Sequence, residues 1–411
     1  MRVKFGAGAI AFAIACGGNT SDSPDTGVPV DDSGVMDEPI DMDTGDPDTG
    51  VPYPAMFPAP PQVITSGGPT AGMGKVVPVF WSNDPMQAQI EQYLQAMSPS
   101  TYWTATTKEY KVGDYTLAPS VVVTAQPFTS IDDPGIQTFL AAHADGSDAA
   151  WPKADSNTVF VVAFPSSTII NLGNNQLCNG ILGYHSDTAL ADNTAFSYAV
   201  IPRCGGIDSF TATTSHELVE WATDPFPMTN TAYTRVDTAH LYWDNGAGSE
   251  TGDMCENQNS AYARILGNFV VQRTWSNAAM KGGHDPCVPP PANTVFFAAA
   301  PESPDTVVYT YFGQKVNVKG VKIPVGTMKT IDVHLYSDGP VAAPWTVSAS
   351  TSFSSQGALT FSFDKNTGQN GDILHLTITA VKTTSTGAAR FNVTSTNKQN
   401  VRHTWYGLVG F

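Results

Sequence analysis

Basic residues are scarce in this chain and form no patch. Its 411 residues include 20 Lys or Arg against 37 Asp or Glu, which gives a net charge of −17. Because proteins that bind nucleic acid neutralise phosphates with clustered Lys and Arg, this composition argues against a nucleic-acid partner. Much of the acidity is local, since no Lys or Arg lies between Gly17 and Gly74. The net charge therefore says little about the folded part.

Several other features are missing. The chain has no Gly-rich phosphate loop and no Ser, His and Asp set around a nucleophile elbow. Beyond the N-terminus no apolar run is long enough to cross a membrane. Charged residues make up only 14%, whereas Gly (36) and Pro (30) are common. This mix is typical of loop-rich, β-rich extracellular proteins, and the length allows two or three domains.

Residues 1–16 are predicted to be an export signal. A short basic start, Met1 to Lys4, precedes an apolar run from Phe5 to Ala15 that is too short for a membrane anchor. Small residues then precede Cys16, as in a bacterial lipoprotein signal, although Ala13 stands where Leu is usual. We expect a lipid on Cys16, which would hold the chain at a membrane of the cell envelope. Cleavage after Ala15 and simple secretion is the alternative.

The remaining cysteines are even in number, as expected for disulfides in an exported chain. They are Cys178, Cys204, Cys255 and Cys287. The sequence does not determine how they pair. Their order along the chain favours Cys178–Cys204 and Cys255–Cys287.

Residues 17–61 are predicted to be a disordered tether. This segment is dense in Pro and Asp and repeats Asp-Thr-Gly at 25–27, 43–45 and 48–50. Such a composition cannot bury enough apolar surface to fold, and its like charges keep it extended. We expect it to hold the globular part away from a membrane surface.

Residues 62–288 are predicted to form an α+β domain. The order of its elements is strand, helix, strand, helix, buried strand, edge strand and a final helix. The expected strands include Lys75–Trp81, Thr158–Phe164 and, as the edge strand, Ser197–Pro202, and helices are expected after Asn83 or Asp84 and from Asp133.

The final helix carries the candidate chemistry. Ser209 or Thr211 could cap its start, and Pro225 ends it. His216 and Glu220 lie one turn apart on the same face, so they could share a metal ion, with Glu217 beside them. A carboxylate in the second position suits zinc but also calcium or manganese. The alternative interpretation is an ordinary amphipathic helix with a solvated acidic edge.

This pattern resembles the His-Glu-x-x-His helix of zincin metallopeptidases, with Glu220 in place of the second histidine. In zincins with a glutamate ligand, a third ligand comes from downstream. The resemblance implies Glu250 for that role, with Asp253 as the second choice, and Glu217 as the base that activates water. His185, in the segment Gly183-Tyr184-His185, is a weaker candidate for substrate binding or as an extra ligand.

A second resemblance rests on several motifs together. Ser215-His216-Glu217-Leu218-Val219-Glu220, Glu250-x-x-Asp253-x-Cys255 and Val271-Gln272-Arg273-x-Trp275-Ser276-Asn277 resemble a family of exported bacterial proteins, and more weakly the plant phosphate-induced, EXORDIUM-like proteins. The resemblance implies a zincin-like site but no settled reaction.

Residues 289–411 are predicted to form an all-β, immunoglobulin-like sandwich. After Pro289-Pro290-Pro291 the pattern changes to alternating apolar and polar residues in about eight or nine short strands separated by Gly, Asn and Ser. No acidic or histidine cluster occurs there. This domain is expected to stabilise or space the protein, or to adhere to a polysaccharide or another partner.

Two functions fit these observations. The first is an exported, lipid-anchored, zinc-dependent hydrolase, a metallopeptidase acting on peptides, in which His216, Glu220 and Glu250 or Asp253 hold the metal. The second is a non-catalytic surface protein that binds an envelope or extracellular polymer and has a structural metal site.

Overall fold

The computed structural model describes residues 50–98, 100–244, 248–289, 294–341 and 344–411. The export signal, Cys16 and most of the expected tether lie outside these residues. The described chain is mixed α+β and mostly strand. Its α-helices are α1 (Gln87–Met97), α2 (Thr101–Thr107), α3 (Asp133–His143), α4 (Ile207–Thr223) and α5 (Asn277–Lys281).

The first part of the chain contains thirteen of the described strands. They are β1 (Val63–Thr65), β2 (Lys75–Trp81), β3 (Thr116–Leu117), β4 (Val121–Val123), β5 (Ser130–Asp132), β6 (Thr158–Val162), β7 (Ile169–Leu172), β8 (Asn175–Gln176), β9 (Tyr184–Ala189), β10 (Ala195–Val200), β11 (Tyr233–Val236), β12 (Tyr262–Leu266) and β13 (Phe269–Gln272).

The central sheet has the order β3-β2-β6-β10-β9, and β4 also pairs with β2. Its strands run parallel except β9, which is antiparallel to β10 and forms an edge. Strand β6 is buried along its whole length, as its unbroken apolar run predicts. The parallel pairs leave both faces of the sheet to be covered by helices.

Helix α4 covers one face of this sheet. Leu218, Val219 and Ala222 pack against the same core as Val159 and Ala199 of the sheet. Helix α3 covers the opposite face through Ile136 and Leu140. The other face of α4 is also buried, because β13 and the segment around residue 252 lie against it. The site helix is thus enclosed on every side.

Two sequence predictions about this region are wrong in detail. Strand β10, expected at the edge, lies inside the sheet, because β9 pairs with its outer side over six residues. Helix α4 begins at Ile207 after Gly206, so Ser209 and Thr211 lie inside it rather than at a cap. Thr211 instead donates its hydroxyl to the carbonyl of Val270, which fastens the helix to β13.

In the last part of the chain, the described residues form strands and one short 3-10 turn. They are β14 (Phe297–Pro301), β15 (Asp305–Tyr311), β16 (Gln314–Lys322), β17 (Met328–Ser337), β18 (Trp345–Thr351), β19 (Leu359–Phe363), β20 (Thr367–Gly368), β21 (Ile373–Ala380), β22 (Ala388–Thr396) and β23 (Arg402–Gly410). They form a sheet of order β14-β17-β21-β19 and another of order β15-β16-β23-β22-β18-β20. One apolar core lies between the two sheets.

The two parts of the chain share an aromatic core. The ring of Trp243 lies 5.4 Å from that of Trp405 and 4.8 Å from that of Tyr406. Arg390 donates to the carbonyls of Tyr242 and Asp244 at 3.1 and 2.9 Å. These contacts fix the segment that leads towards residue 250.

The end of the expected tether is part of the fold. Ala55 is buried, and the ring of Phe57 stacks on that of Tyr336 at 4.2 Å. Asn370 accepts a hydrogen bond from the Ala55 amide and donates to the Pro52 carbonyl. Apolar residues among the prolines thus dock on the C-terminal sheets, so the prediction of disorder up to Pro61 is wrong for this stretch.

The disulfides are Cys178–Cys204 and Cys255–Cys287, which confirms the favoured pairing. Disulfides persist in oxidising surroundings, so the folded part belongs outside the cell or in its envelope. Among the described residues, no helix is both long and apolar enough to span a membrane.

Candidate metal centre

Helix α4 presents the predicted residues to the interior of the protein. His216, Glu217 and Glu220 are all fully buried. Nε2 of His216 lies 3.1 Å from Oε2 of Glu220, which confirms that the two side chains share a face. Burying carboxylates is costly unless they are paired or bind a cation, so this helix needs compensating partners.

Gln272 of β13 determines the orientation of the His216 ring. The Gln272 amide nitrogen donates to the Gly252 carbonyl at 2.8 Å, which assigns its oxygen as the acceptor. That oxygen lies 3.0 Å from Nδ1 of His216, so Nδ1 carries a proton and donates. Nε2 then faces Glu220 and, at 3.7 Å, Oδ1 of Asp253. A proton or a metal ion must stand between this nitrogen and the carboxylates.

Glu220 is held by backbone amides of the downstream loop. Its Oε1 accepts hydrogen bonds from the amides of Gly252 and Asp253, both at 3.1 Å. A Cβ at Gly252 would lie 2.7 Å from this oxygen and 2.7 Å from Nδ1 of His216, so only glycine fits. Burial raises the pKa of Glu220, but the charge of His216 and its hydrogen bond, the charge of His185 and the Asp253 amide outweigh burial and lower the pKa.

Asp253 closes the site from the other side. It begins a 3-10 turn that ends at Cys255, which is bonded to Cys287. Both of its carboxylate oxygens are buried and make no hydrogen bond to the described residues. Burial and then the charge of Glu220 raise the pKa of Asp253 well above its usual range. Such a group gains most from a cation nearby.

His185 reaches the site from the edge strand β9. Its Nδ1 lies 3.4 Å from Oε2 of Glu217 and 3.6 Å from Oε2 of Glu220. Burial lowers the pKa of His185, but the hydrogen bond with Glu217 and the charge of Glu220 outweigh it and raise the pKa. Its side chain is 1% exposed, and its Nε2 makes no hydrogen bond to the described residues.

The geometry brings these side chains into two groups that share Glu220. One is His185, Glu217 and Glu220, and the other is His216, Glu220 and Asp253, with the ligand atoms of each group within 4.8 Å of one another. The buried cluster could hold a metal ion, and its mixed nitrogen and oxygen donors suit zinc as well as harder cations.

Glu250 and Asp224 stand beside the cluster rather than in these groups. Burial, followed by the charge of Glu220, raises the pKa of Glu250 well above its usual range. Burial raises the pKa of Asp224 to about 6. Glu250 lines a pocket of 370 Å³ whose wall also includes His185. The implied ranking of Glu250 over Asp253 as third ligand therefore does not match the geometry, in which Asp253 lies nearer to His216.

Sequence reasoning missed three residues that position the site. Gln272 orients His216, and Gly252 leaves room for the ring and for Glu220. The hydroxyl of Ser215 accepts a hydrogen bond from the backbone N–H of Gln272 at 2.8 Å, which joins α4 to β13, and donates to the Ala212 carbonyl. In the sequence, the one indication of these residues is that each lies within one of the three motifs. The motifs do not show which residues of different motifs are in contact.

Comparisons with known proteins add little. No family model and no curated protein matches the chain. Three of the solved structures match in part. Domains 4 and 5 of the S-layer protein SbsC are 16% identical over 27% of this chain and 46% of that chain, with a TM-score of 0.17. A chimeric titin Z1Z2 is 18% identical over 22% of this chain and 83% of that chain (TM-score 0.16), and a Bacteroides ovatus GH5 xyloglucanase is 16% identical over 22% of this chain and 17% of that chain (TM-score 0.15). The chain thus spans about half of the first of these. At such TM-scores none of them bears on its function.

Proposed function

We propose that this protein is an exported, lipid-anchored, zinc-dependent peptidase. The observation that carries the proposal is the meeting of His216, Glu220 and Asp253 around one point, with Glu217 alongside. The same proposal includes a zincin-like fold for residues 62–288 and an immunoglobulin-like fold for residues 289–411. It also includes membership of the exported bacterial family and a lipid on Cys16.

In this proposal His216, Glu220 and Asp253 hold the ion. A bound zinc ion would polarise the substrate carbonyl and make a neighbouring water a better nucleophile. Gln272 keeps the His216 proton on Nδ1, and the Gly252 and Asp253 amides keep Glu220 in place. These outer contacts orient the ligands and are expected to tighten metal binding.

Glu217 and His185 would carry the proton transfer and the charge. Oε1 of Glu217 is buried and makes no hydrogen bond to the described residues, so it is available to accept a proton from water. The water oxygen bonds to the peptide carbonyl carbon, the carbon–nitrogen bond breaks, and Glu217 passes the proton to the departing amine. His185, when protonated, would donate from Nε2 to the carbonyl oxygen as negative charge develops there.

The rival function is a non-catalytic binding protein with a structural ion. The burial of His185, His216, Glu217, Glu220 and Asp253 favours it, because a closed set of side chains suits a structural cation. Mainly carboxylate ligands would make that cation calcium. Under this reading the C-terminal sheets would adhere to a polymer of the cell envelope.

Metal content and peptide cleavage by the purified protein separate the two. About one zinc per chain, lost in His216→Ala but kept in the surface control His375→Ala, supports the peptidase, provided that Glu217→Gln abolishes cleavage while retaining zinc. His375 is a fair control because its side chain is 53% exposed and pairs with Asp332 within the C-terminal sheets. Calcium alone would establish the rival, and a protein without metal would overturn both.

A further inference from the structure

The 370 Å³ pocket beside the metal centre has three acidic residues in its wall. It lies along the outer edge of β9, between the start of α3 and the loop that holds Met228. Asp132, Asp133 and Glu250 contribute carboxylates, and none of the described residues that line the pocket is Lys or Arg. A pocket of this size is large enough for an extended side chain.

The three acidic side chains differ in how many hydrogen bonds they accept within the protein. Oδ1 of Asp133 accepts the hydroxyls of Tyr184 and Tyr198 at 2.8 and 2.6 Å, and its Oδ2 accepts from Gln137. Asp133 is therefore already satisfied within the protein. Asp132 is exposed and uses Oδ1 to cap α3 through the Gly135 amide. Glu250 is half-buried in the pocket wall, and none of the described residues in that wall is a Lys or Arg that could pair with it.

The pocket is joined to the metal centre through His185. This side chain lines the pocket, while its Nδ1 lies 3.4 Å from Glu217. Its Nε2 is buried without a hydrogen bond to the described residues, which is a costly state unless a ligand supplies the partner. A molecule that fills the pocket therefore comes within reach of the proposed reaction site.

We infer that this pocket binds a cationic group of the substrate, the side chain of Lys or Arg, with Glu250 as the residue that determines the preference. The inference rests on the proposed function for the reaction but not for binding. The preference follows from pairing a charged hydrogen-bond donor with an acid that meets no Lys or Arg among the described residues of the pocket wall. A free α-amino group has the same chemistry, so the test separates the two sources.

The test uses the full chain and acetylated hexapeptide amides that carry one Arg at each position in turn, with citrulline as the uncharged match. Cleavage is measured with wild-type protein, and binding with Glu217→Gln. We expect Arg peptides to be preferred by about tenfold or more at one position. The preference should fall towards unity in Glu250→Gln and persist in Glu302→Gln, whose exposed carboxylate pairs with His334 outside the pocket.

Asp132→Asn is a second pocket variant, because Asn also caps helices and the fold should survive. It should reduce the Arg preference by a smaller factor. Arg-selective binding that depends on Glu250, without cleavage of any peptide, would support the pocket and overturn the peptidase. Equal binding of Arg and citrulline peptides, or no binding of either, would overturn the inference. A preference only for unacetylated peptides would overturn the side-chain assignment and assign the cation to the amino terminus.

Discussion

Gln272 and His216 are joined by a hydrogen bond of 3.0 Å whose direction is fixed by the second bond of Gln272, to the Gly252 carbonyl. A residue from β13 thereby selects the histidine nitrogen that faces Glu220 and Asp253. The same amide oxygen also accepts the Tyr262 hydroxyl at 3.1 Å. The candidate metal centre is thus assembled from one helix, two strands and one loop.

Replacing Gln272 by Leu should weaken metal binding by roughly ten- to a hundredfold, because the His216 ring loses the acceptor that orients it. A competition titration with a chromophoric chelator measures this. The surface variant Gln314→Leu should bind metal as the wild type does, since Gln314 is exposed on β16. Unchanged metal affinity in Gln272→Leu would show that the hydrogen bond between Gln272 and His216 is not needed for metal binding.

Gly252→Ala should damage the site although it replaces none of the proposed ligands. Its Cβ would stand 2.7 Å from both Oε1 of Glu220 and Nδ1 of His216, so the backbone or the ligands must move. We expect a loss of about 1–3 kcal/mol in the free energy of unfolding and at least a tenfold loss in metal affinity. Gly206→Ala is the control, because a Cβ there meets no atom within 4 Å. A fully active, metal-bound Gly252→Ala protein would contradict the packing described.

The two disulfides should differ in their effect on the metal centre but not much in their effect on stability. They span 26 and 32 residues, so removing either should cost a similar amount, about 2–4 kcal/mol. Only Cys255–Cys287 lies two residues from Asp253. Paired Cys→Ser variants, compared by urea unfolding and by metal titration, should lose metal affinity mainly when Cys255 and Cys287 are replaced. Equal losses of affinity would indicate a global rather than a local effect.

Asp224 should make the metal-free protein less stable as the pH rises from about 4 to 6. Its folded pKa of about 6 is raised above the unfolded value of 3.8, so the folded state holds the proton in that range. The stability that this retained proton contributes is fully present below pH 3.8 and is lost by about pH 6. It amounts to about 3 kcal/mol, because each unit of difference between the folded and unfolded pKa corresponds to about 1.36 kcal/mol.

Urea unfolding in the presence of a chelator, at several pH values, checks this dependence. Asp224→Asn should make the fall in stability between pH 4 and 6 less steep, since this buried group no longer ionises while Glu250 and Asp253 still do. A variant profile that runs parallel to that of the wild type would show that another group is responsible.

The sequence was sufficient for the site helix and for much of the sheet. The spacing of His216 and Glu220 determines their contact whatever surrounds the helix, because both lie on one helix face. Strand β2 has the predicted bounds, since an uninterrupted run of apolar residues defines it. These are local patterns, and local patterns are what a single sequence contains.

Strand β9 and the outer contacts of the site were not predictable in this way. The residues Tyr184–Ala189 include His, Ser and Asp, and their burial is tolerable only because other segments satisfy them. Asp187, for example, accepts from the Met228 amide and the Thr229 hydroxyl. The roles of Gln272 and Gly252 were not predictable either. Both depend on contact with His216, which lies 56 positions before Gln272 and 36 positions before Gly252 in the sequence.

The docking of residues 51–57 on the C-terminal sheets has a mechanical consequence. In a chain held at its leading end, a pull enters the fold near Pro52 and Phe57. Asn370 and Tyr336 receive it first, so tension passes into the strands that carry or border them, β17 and β21. Helix α4 and the loop at Gly252 make no contact with that entry point among the hydrogen bonds and ring contacts described. If the proposed lipid anchor holds the chain, drag would therefore load these strands before it reaches the contacts around His216.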